Sequence, residues 1–240
     1  MNHKLNTILR LNQNATHFAS MFINQVFLWM SFGLMLTSVI SYWVAHDVRL
    51  MALVVGETGL TGFGYVVLFA PIGFVLLMSL GFKQLSYGML LFLFIVYAAI
   101  MGMSLSVIFL IYTESSIYST FGIAAMMFGG MAMIGYTTKT DLTKIGNVLL
   151  MVLIGIVLAS LVNLFLQSDA FTFLISLVSV VVFAGLTAYD IQKIKQLANE
   201  VNMEEGMKKK IGIIGALTLY LDFINLFLSL LHFFGNKKET

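Results

Sequence analysis

The sequence is poor in the residues that mark a soluble protein. Only 10% of its 240 residues are Asp, Glu, Lys or Arg, whereas 60% are hydrophobic, and the mean hydropathy is +0.97. Soluble globular chains are about 25% charged and about 45–50% apolar. This composition excludes a soluble domain and indicates an integral membrane protein, with a single membrane domain over residues 1–240.

Cysteine is absent and proline occurs once, at Pro71. Without cysteine there is no disulfide framework and no thiolate metal site, and we predict no cofactor. Pro71 lies inside an apolar run, where it is expected to kink a helix. The net charge of +2 is too small to indicate a nucleic-acid partner, so the expected partner is the lipid bilayer.

Seven apolar segments are long enough, at about 20 residues each, to cross a bilayer as helices. They cover residues 22–45, 62–82, 86–112, 117–136, 146–167, 170–190 and 211–235, after a polar N-terminal segment over 1–21. The fold class is therefore an all-α membrane protein with seven transmembrane helices. The fourth segment carries glycines that are expected to let helices approach closely: Gly122, Gly129, Gly130 and Gly135.

Lysine and arginine predict the orientation, because they concentrate in cytosolic loops. With the N-terminus in the cytosol, ten of the thirteen lie on the cytosolic side. The C-terminus then lies outside, unless the last segment is re-entrant. Residues 191–210 place Ile191, Ile194, Leu197 and Val201 at helical spacing among charges. They predict a cytosolic helical connection, either solvated or bound to a membrane surface or partner.

Two aspartates, Asp190 and Asp222, lie in the last two apolar segments. An ionisable residue inside a membrane is costly and is a functional-site hypothesis by default. At 1.5 Å per residue, Asp222 lies about 16 Å from Ile211, near the midplane, whereas Asp190 ends its segment at the cytosolic side. Counting residues thus separates the two carboxyl groups by roughly a dozen ångströms in depth.

Polar residues follow one face of the last segment, at spacings of three or four. They are Gly215, Thr218, Asp222, Asn225, Ser229 and His232. Lipid cannot satisfy such groups, so this face must meet protein or water. A weaker stripe on the sixth segment comprises Thr172, Ser176, Ser179, Thr187 and Asp190.

We expect four of these side chains to line a pore or cavity beside the aspartates: Thr187, Thr218, Asn225 and Ser229. Simpler interpretations stay open, because hydroxyl residues at this spacing also serve plain helix packing. Asp222 can be a structural carboxylate tied to Asn225 or a hydroxyl. Asp190 and His232 can be interfacial residues.

Two intramembrane carboxyls permit three kinds of chemistry. They can share a proton and act as a pH sensor, attract a hard cation such as calcium, or activate water for peptide hydrolysis. Tyr189-Asp190 matches half of the intramembrane aspartyl protease signature. However, Leu219-Tyr220-Leu221-Asp222 lacks the Gly-x-Gly-Asp pattern. The protease is therefore a minor alternative, and we predict no enzyme and no catalytic residues.

Three motifs contain or lie close to the aspartates and the fourth-to-fifth connection: Ala188-Tyr189-Asp190-Ile191-Gln192, Leu219-Tyr220-Leu221-Asp222-Phe223-Ile224-Asn225-Leu226-Phe227 and Gly135-Tyr136-Thr137-Thr138-Lys139-Thr140-Asp141-Leu142. With these motifs the chain resembles the transmembrane Bax inhibitor motif family, including its bacterial members. The resemblance extends over the whole chain. It implies six helices around a central last helix, in the cytoplasmic (inner) membrane of a bacterium.

The resemblance also implies a pH-sensitive calcium leak. In it, Asp190 and Asp222 form the sensor and gate and bind calcium transiently. Some members carry an arginine latch at the end of the second helix; here Lys83 is the nearest base and the possible latch, although lysine lacks the planar fork. Bacterial relatives are linked to a membrane-bound protease, so a non-transporting regulator that binds a membrane protease or another membrane protein remains the alternative.

Overall fold

The computed structural model describes residues 2–57, 59–198 and 204–238, with side chains described from residue 20 onward. It is helical except for one short two-stranded ribbon. In chain order the elements are α1 (Asn2–His46), α2 (Val48–Val54), β1 (Val55–Gly56), β2 (Gly59–Leu60), α3 (Gly62–Gly81), α4 (Tyr87–Leu105), α5 (Ile108–Ile111), α6 (Glu114–Thr137), α7 (Thr143–Leu166), α8 (Asp169–Ala198) and α9 (Glu205–Phe234).

The seven predicted crossings are confirmed as helical segments. The segments of sufficient length and apolarity are Ser20–His46, Gly62–Gly81, Tyr87–Ile111, Glu114–Thr137, Thr143–Leu166, Asp169–Ala198 and Glu205–Phe234. Pro71 lies inside α3, which continues as one helix on both sides of it. The main difference from the prediction concerns the last two helices, each of which extends further toward the connection between them.

The last helix is the centre of the bundle, as the resemblance implied. In its most apolar stretch, 67% of the residues of α9 are buried, against 0% for α7. Helix α9 packs against α1, α4, α6 and α8. Helices α3 and α7 occupy outer positions, packed mainly on α4 and α8 respectively. Asp222, which is 5% exposed, is therefore shielded from lipid by the surrounding helices.

Side-chain caps and tight connections fix where several helices begin. The Thr61 hydroxyl accepts from Gly64 N at the start of α3, and the Ser86 hydroxyl accepts from Met89 N at the start of α4. Such caps satisfy backbone donors that the first turn leaves unpaired. Helix α7 ends at Leu166 and is followed by Gln167, which adopts the left-handed conformation with φ of 48°.

One of the four glycines of α6 makes the predicted close approach. A Cβ at Gly135 would lie 2.2 Å from the Ala188 carbonyl oxygen on α8, so the two backbones touch there. At Gly122, Gly129 and Gly130 a Cβ would meet no atom within 4 Å. The prediction of close packing therefore applies to Gly135 and not to the other three.

Helix α9 runs through the bundle from one end to the other. At its start, Lys210 Nζ donates to Phe82 O, at 3.3 Å, at the end of α3. Past its end, Lys238 Nζ donates to Phe109 O, at 2.8 Å, on the opposite side of the bundle. The tail also pairs with the α5–α6 connection, since Thr113 N donates to Asn236 O. Helix α9 therefore extends over the full length of the helical bundle.

The predicted connection over 191–210 divides between two helices. Its first part continues α8 to Ala198, where Ile191 and Ile194 are 0% and 5% exposed. Its last part, from Glu205, begins α9. The apolar face of this helical extension therefore packs into the bundle rather than onto a membrane surface. Val201 lies outside the described residues.

Candidate functional site

The structure brings Asp190 and Asp222 together. Their carboxyl groups face each other within hydrogen-bonding reach, one from α8 and one from α9. Asp222 is 5% exposed, whereas Asp190 is partly exposed. Asp222 Oδ2 is one of two buried side-chain polar atoms in the described residues without a hydrogen-bond partner. Two ionised carboxylates have no donor between them, so a shared proton would complete this contact.

The two aspartates lie at the same depth in the bundle because α8 and α9 are both longer than predicted. Helix α8 continues for eight residues beyond Asp190, to Ala198, so Asp190 lies inside the helix rather than at its end. Further along the same contact, Ile194 packs against Gly215, whose Cβ would lie 3.3 Å from Ile194 Cδ1. The separation of a dozen ångströms expected from residue counting is therefore wrong.

Residues on both sides of Asp190 fix its part of α8 against α6 and the α6–α7 connection. The backbone of Ala188 contacts Gly135, and a Cβ at Gly146 would lie 2.4 Å from the ring of Tyr189. Gln192 joins the connection twice: Oε1 accepts from Leu142 N and Nε2 donates to Thr140 O, both at 2.8 Å. Two of the motifs behind the family resemblance thus form one structural unit that orients Asp190.

Asp222 is positioned by an equivalent set of contacts on the other side of the bundle. Two residues before it, the Tyr220 hydroxyl lies 2.7 Å from Thr37 Oγ1 on α1. Thr37 Oγ1 also lies 2.8 Å from Ala98 O on α4. The Tyr220 ring meets that of Tyr97 edge to face, with centroids 5.4 Å apart. These contacts fix the rotation of α9 and hence the direction of Asp222.

A cleft of ≈ 410 Å³ between α3, α8 and α9 reaches Asp190. It lies at the end of the bundle where α3 ends. Its lining residues are Ser79, Phe82, Asp190, Lys193, Ile194, Leu197, Ile211, Ile214, Gly215 and Thr218. We refer to it as the inner cleft. It leads from the surface to the exposed member of the aspartate pair, while Asp222 stays behind it in the core.

The base beside Asp190 is Lys193 rather than Lys83. Lys193 lines the inner cleft and acts electrostatically on Asp190. Lys83, the possible latch, is not among the lining residues of the cleft, and its backbone carbonyl accepts from Lys210 Nζ at 3.4 Å. The spacing of three residues between Asp190 and Lys193, one helical turn, was a signal in the sequence for this neighbour.

The polar stripe of α9 faces two different clefts. Thr218 lines the inner cleft, whereas Asn225 and Ser229 line a second cleft of ≈ 550 Å³ between α7, α8 and α9, together with His232. Asp222 lies between the two. Thr187 lines neither cleft: it is 0% exposed and its hydroxyl donates to Phe183 O. Its side chain is instead a core residue whose polarity is satisfied within α8.

The cleft-lining side chains on α9 present acceptors. Each donates to the carbonyl four residues earlier: Thr218 to Ile214 at 3.0 Å, Asn225 to Leu221 at 2.9 Å and Ser229 to Asn225 at 2.7 Å. Their remaining lone pairs suit a passing cation. Among the described residues there is no group of three or more His, Asp or Glu side chains that could hold a metal ion. Two carboxylates fall short of the six to eight oxygens of a stable calcium site.

Comparison with known proteins agrees with this architecture. The profile of the family described as "Inhibitor of apoptosis-promoting Bax1" matches residues 19–239. The inner membrane protein YbhL of Escherichia coli K12 is 45% identical over 219 residues, which cover 90% of this chain and 92% of that protein. A protein of Borreliella burgdorferi is 42% identical over 218 residues, covering 91% and 93%.

A protein of Rickettsia prowazekii, RP147, is 48% identical over 179 residues, 75% of either chain. The family match over residues 19–239 includes the seven helical segments and both Asp190 and Asp222. With a family match over 19–239 and relatives of this identity and coverage, the chain belongs to the Bax inhibitor family of integral membrane proteins.

Proposed function

We propose that this protein is a pH-sensitive cation leak, with calcium as the permeant ion, gated by Asp190 and Asp222. The observation that carries the proposal is the buried contact between the two carboxyl groups. One proton shared between them holds α8 against α9. Its loss leaves two like charges in contact in a low-dielectric environment, which is strongly unfavourable, and the two helices separate.

Apart from Lys193 in the inner cleft, the polar groups around the pair favour a cation over an anion. On either side of Asp222, the side chains of Thr218, Asn225 and Ser229 offer acceptor oxygens to the two clefts. Asp190 lines the inner cleft. Carboxylate, hydroxyl and amide oxygens are the ligands that calcium prefers. A deprotonated pair thus supplies both the repulsion that opens the path and the charge that attracts the ion.

The orientation belongs to the same proposal. We place the N-terminus and the inner cleft on the cytosolic side of a bacterial inner membrane, because lysines concentrate at that end of the bundle. The inner membrane assignment also follows the printed description of the Escherichia coli relative. Cytosolic pH then acts on the pair through Asp190.

Calcium flux into proteoliposomes tests the proposal. We expect flux through the wild-type protein to rise with pH. Asp190→Asn and Asp222→Asn should each remove this dependence, because an amide supplies the missing donor without a titrating proton. Asp169→Asn is the matched control, since Asp169 begins the same helix α8 in an exposed position. Unchanged pH profiles in both variants would refute the sensor.

A regulator that binds a membrane protease is the second candidate. The surface on which such a partner can pack is α7, whose most apolar stretch has no residue buried in the bundle. Purified protein with no flux at any pH, together with a stably co-purifying membrane protein, would support this function over the leak.

A further inference from the structure

A second buried polar atom without a partner marks a different part of the molecule. Within the described residues, Ser41 Oγ shares this property with Asp222 Oδ2. Ser41 is 4% exposed and lies on α1, five residues before the helix ends at His46. At 1.5 Å per residue this is about 8 Å inside the end of α1. Leaving such a group unpaired is costly, so a partner is expected.

Ser41 lines a cavity of ≈ 270 Å³ whose floor is α9. The walls come from α1 and α6, which both pack on α9, and from the α4–α5 region. Leu105, Ile117, Ile224 and Phe227 make most of the interior apolar. An apolar cavity of about 150 Å³ is enough to bind benzene. This cavity therefore has room for a larger hydrocarbon.

The other buried hydroxyl of the cavity is already paired. Thr37 Oγ1 is engaged by Ala98 O and the Tyr220 hydroxyl. At the mouth, the Tyr118 hydroxyl donates to Glu114 Oε2. Ser41 is thus the buried hydroxyl that is left for a ligand.

The mouth of the cavity opens on the outer surface of the helical bundle. Ser38, Tyr42 and Tyr118 are exposed lining residues on the neighbouring faces of α1 and α6. Because α1 and α6 belong to the outer surface of a membrane protein at this depth, a molecule dissolved in the bilayer can enter sideways.

We propose that this cavity binds a small amphiphile from the membrane, a hydrocarbon with a single hydrogen-bonding group such as an aliphatic alcohol. The hydrocarbon lies against Ile117, Ile224 and Phe227, and the polar group pairs with Ser41 Oγ. The occupant touches α9 at Ile224, two residues after Asp222, and braces α1 against α9. The site is separate from the inner cleft, and its occupancy does not depend on the aspartate pair.

Photolabelling with an octanol that carries a diazirine (3-azioctanol) tests the proposal on the full chain in phosphatidylcholine nanodiscs. We expect adducts in residues 37–42 and 224–227, competed by octanol and about five-fold less well by octane, which lacks the hydroxyl. This competition uses the unmodified protein and so does not depend on the folding of any variant. Equal competition by octane would overturn the assigned polar contact.

Two substitutions at Ser41 distinguish the contribution of its hydroxyl group from that of the cavity volume. Ser41→Ala keeps the cavity and should reduce labelling about five-fold, whereas Ser41→Leu fills it and should abolish labelling. Ser160→Ala, on the exposed helix α7, is the matched control and should change nothing. Asp190→Asn should label normally, which keeps this test independent of the leak. Labelling spread evenly over lipid-facing helices and insensitive to Ser41→Leu would overturn the proposal.

Discussion

At the scale of single residues, the candidate site consists of two aspartates whose positions are set by hydrogen bonds of neighbouring residues. Asp222 lies in the core of the most buried helix and faces Asp190. Neighbouring residues on both helices, such as Gln192 and Tyr220, hydrogen-bond to other parts of the bundle and so fix the two carboxyl groups. The contacts of these neighbouring residues therefore set the position at which the two carboxyl groups meet.

This arrangement predicts how stability depends on pH. In the wild-type protein, raising the pH removes the shared proton and leaves adjacent like charges, so stability should fall as the pH rises. In Asp222→Asn, the amide donates to the Asp190 carboxylate at every pH. We expect the unfolding temperature of the variant to be flat from about pH 5 to about pH 8, with a gain of about 1–3 kcal/mol over wild type at the upper end.

Thermal unfolding in detergent, followed by tryptophan fluorescence, measures this difference, since Trp29 and Trp43 both lie on α1. Asp169→Asn should keep the wild-type slope. A wild-type slope in Asp222→Asn would mean that other groups carry the pH dependence.

The sequence predicted the identity of these residues better than their positions. Asp190, Asp222 and the stripe through Thr218, Asn225 and Ser229 follow from helical spacing among apolar residues. The contact between the two aspartates does not follow from the sequence pattern. Hydropathy underestimates the length of a helix that continues beyond its apolar run with charged residues on one side. The burial of Thr187 likewise depends on the rotation of α8, which the neighbouring helices set, whereas Lys193 could have been predicted from its spacing of three residues from Asp190.

At the scale of helices, backbone contact between α6 and α8 supports the site. Gly135 and Ala188 bring the two helices together two residues before Asp190. Between α7 and α8, Gly146 accommodates the ring of Tyr189, and Gly185 accommodates the side chain of Leu149. Because these contacts are tight, the structure allows almost no added volume there.

Gly135→Ala should therefore destabilise the protein by about 1–3 kcal/mol, the usual cost of overpacking. The matched control is Gly130→Ala on the same helix, where a Cβ meets no atom within 4 Å. The control should be neutral or gain up to about 1 kcal/mol from higher helix propensity. Thermal unfolding of both variants measures the difference, and equal destabilisation would contradict the close approach of α6 and α8.

Glycine spacing in the sequence could not select Gly135 from its neighbours. The other three glycines of α6 lie on the same helix, yet a Cβ added to any of them would meet no atom within 4 Å: Gly122, Gly129 and Gly130. The choice is made by the crossing of α6 over α8, a tertiary feature. Helix number and approximate bounds, by contrast, follow directly from the length of apolar runs.

At the scale of the whole molecule, both ends of α9 are tied to opposite ends of the bundle. Lys210 caps carbonyls at the end of α3, and Lys238 caps one at the end of α5. Positive charge at a helix C-terminus is favourable for the helix dipole. The two contacts hold the beginning of α9 and the tail that follows it at opposite ends of the helical bundle.

The absence of cysteine makes the orientation directly measurable, because each introduced cysteine is the only one. We expect Glu57→Cys and Lys237→Cys to react with a membrane-impermeant maleimide in intact cells. Lys139→Cys, exposed in the α6–α7 connection, should react only after lysis. The opposite labelling pattern would invert the proposed topology and place the inner cleft outside.

The central claim is that Asp190 and Asp222 act as one titrating unit that controls cation flux. The most direct test is the pH profile of calcium flux through Asp190→Asn, Asp222→Asn and the double variant in proteoliposomes. If the two act as a unit, their effects are not additive. Each single variant should then lose the pH dependence completely, and the double variant should match either one. Additive partial losses, or a profile like that of wild type in any of the three, would contradict the account.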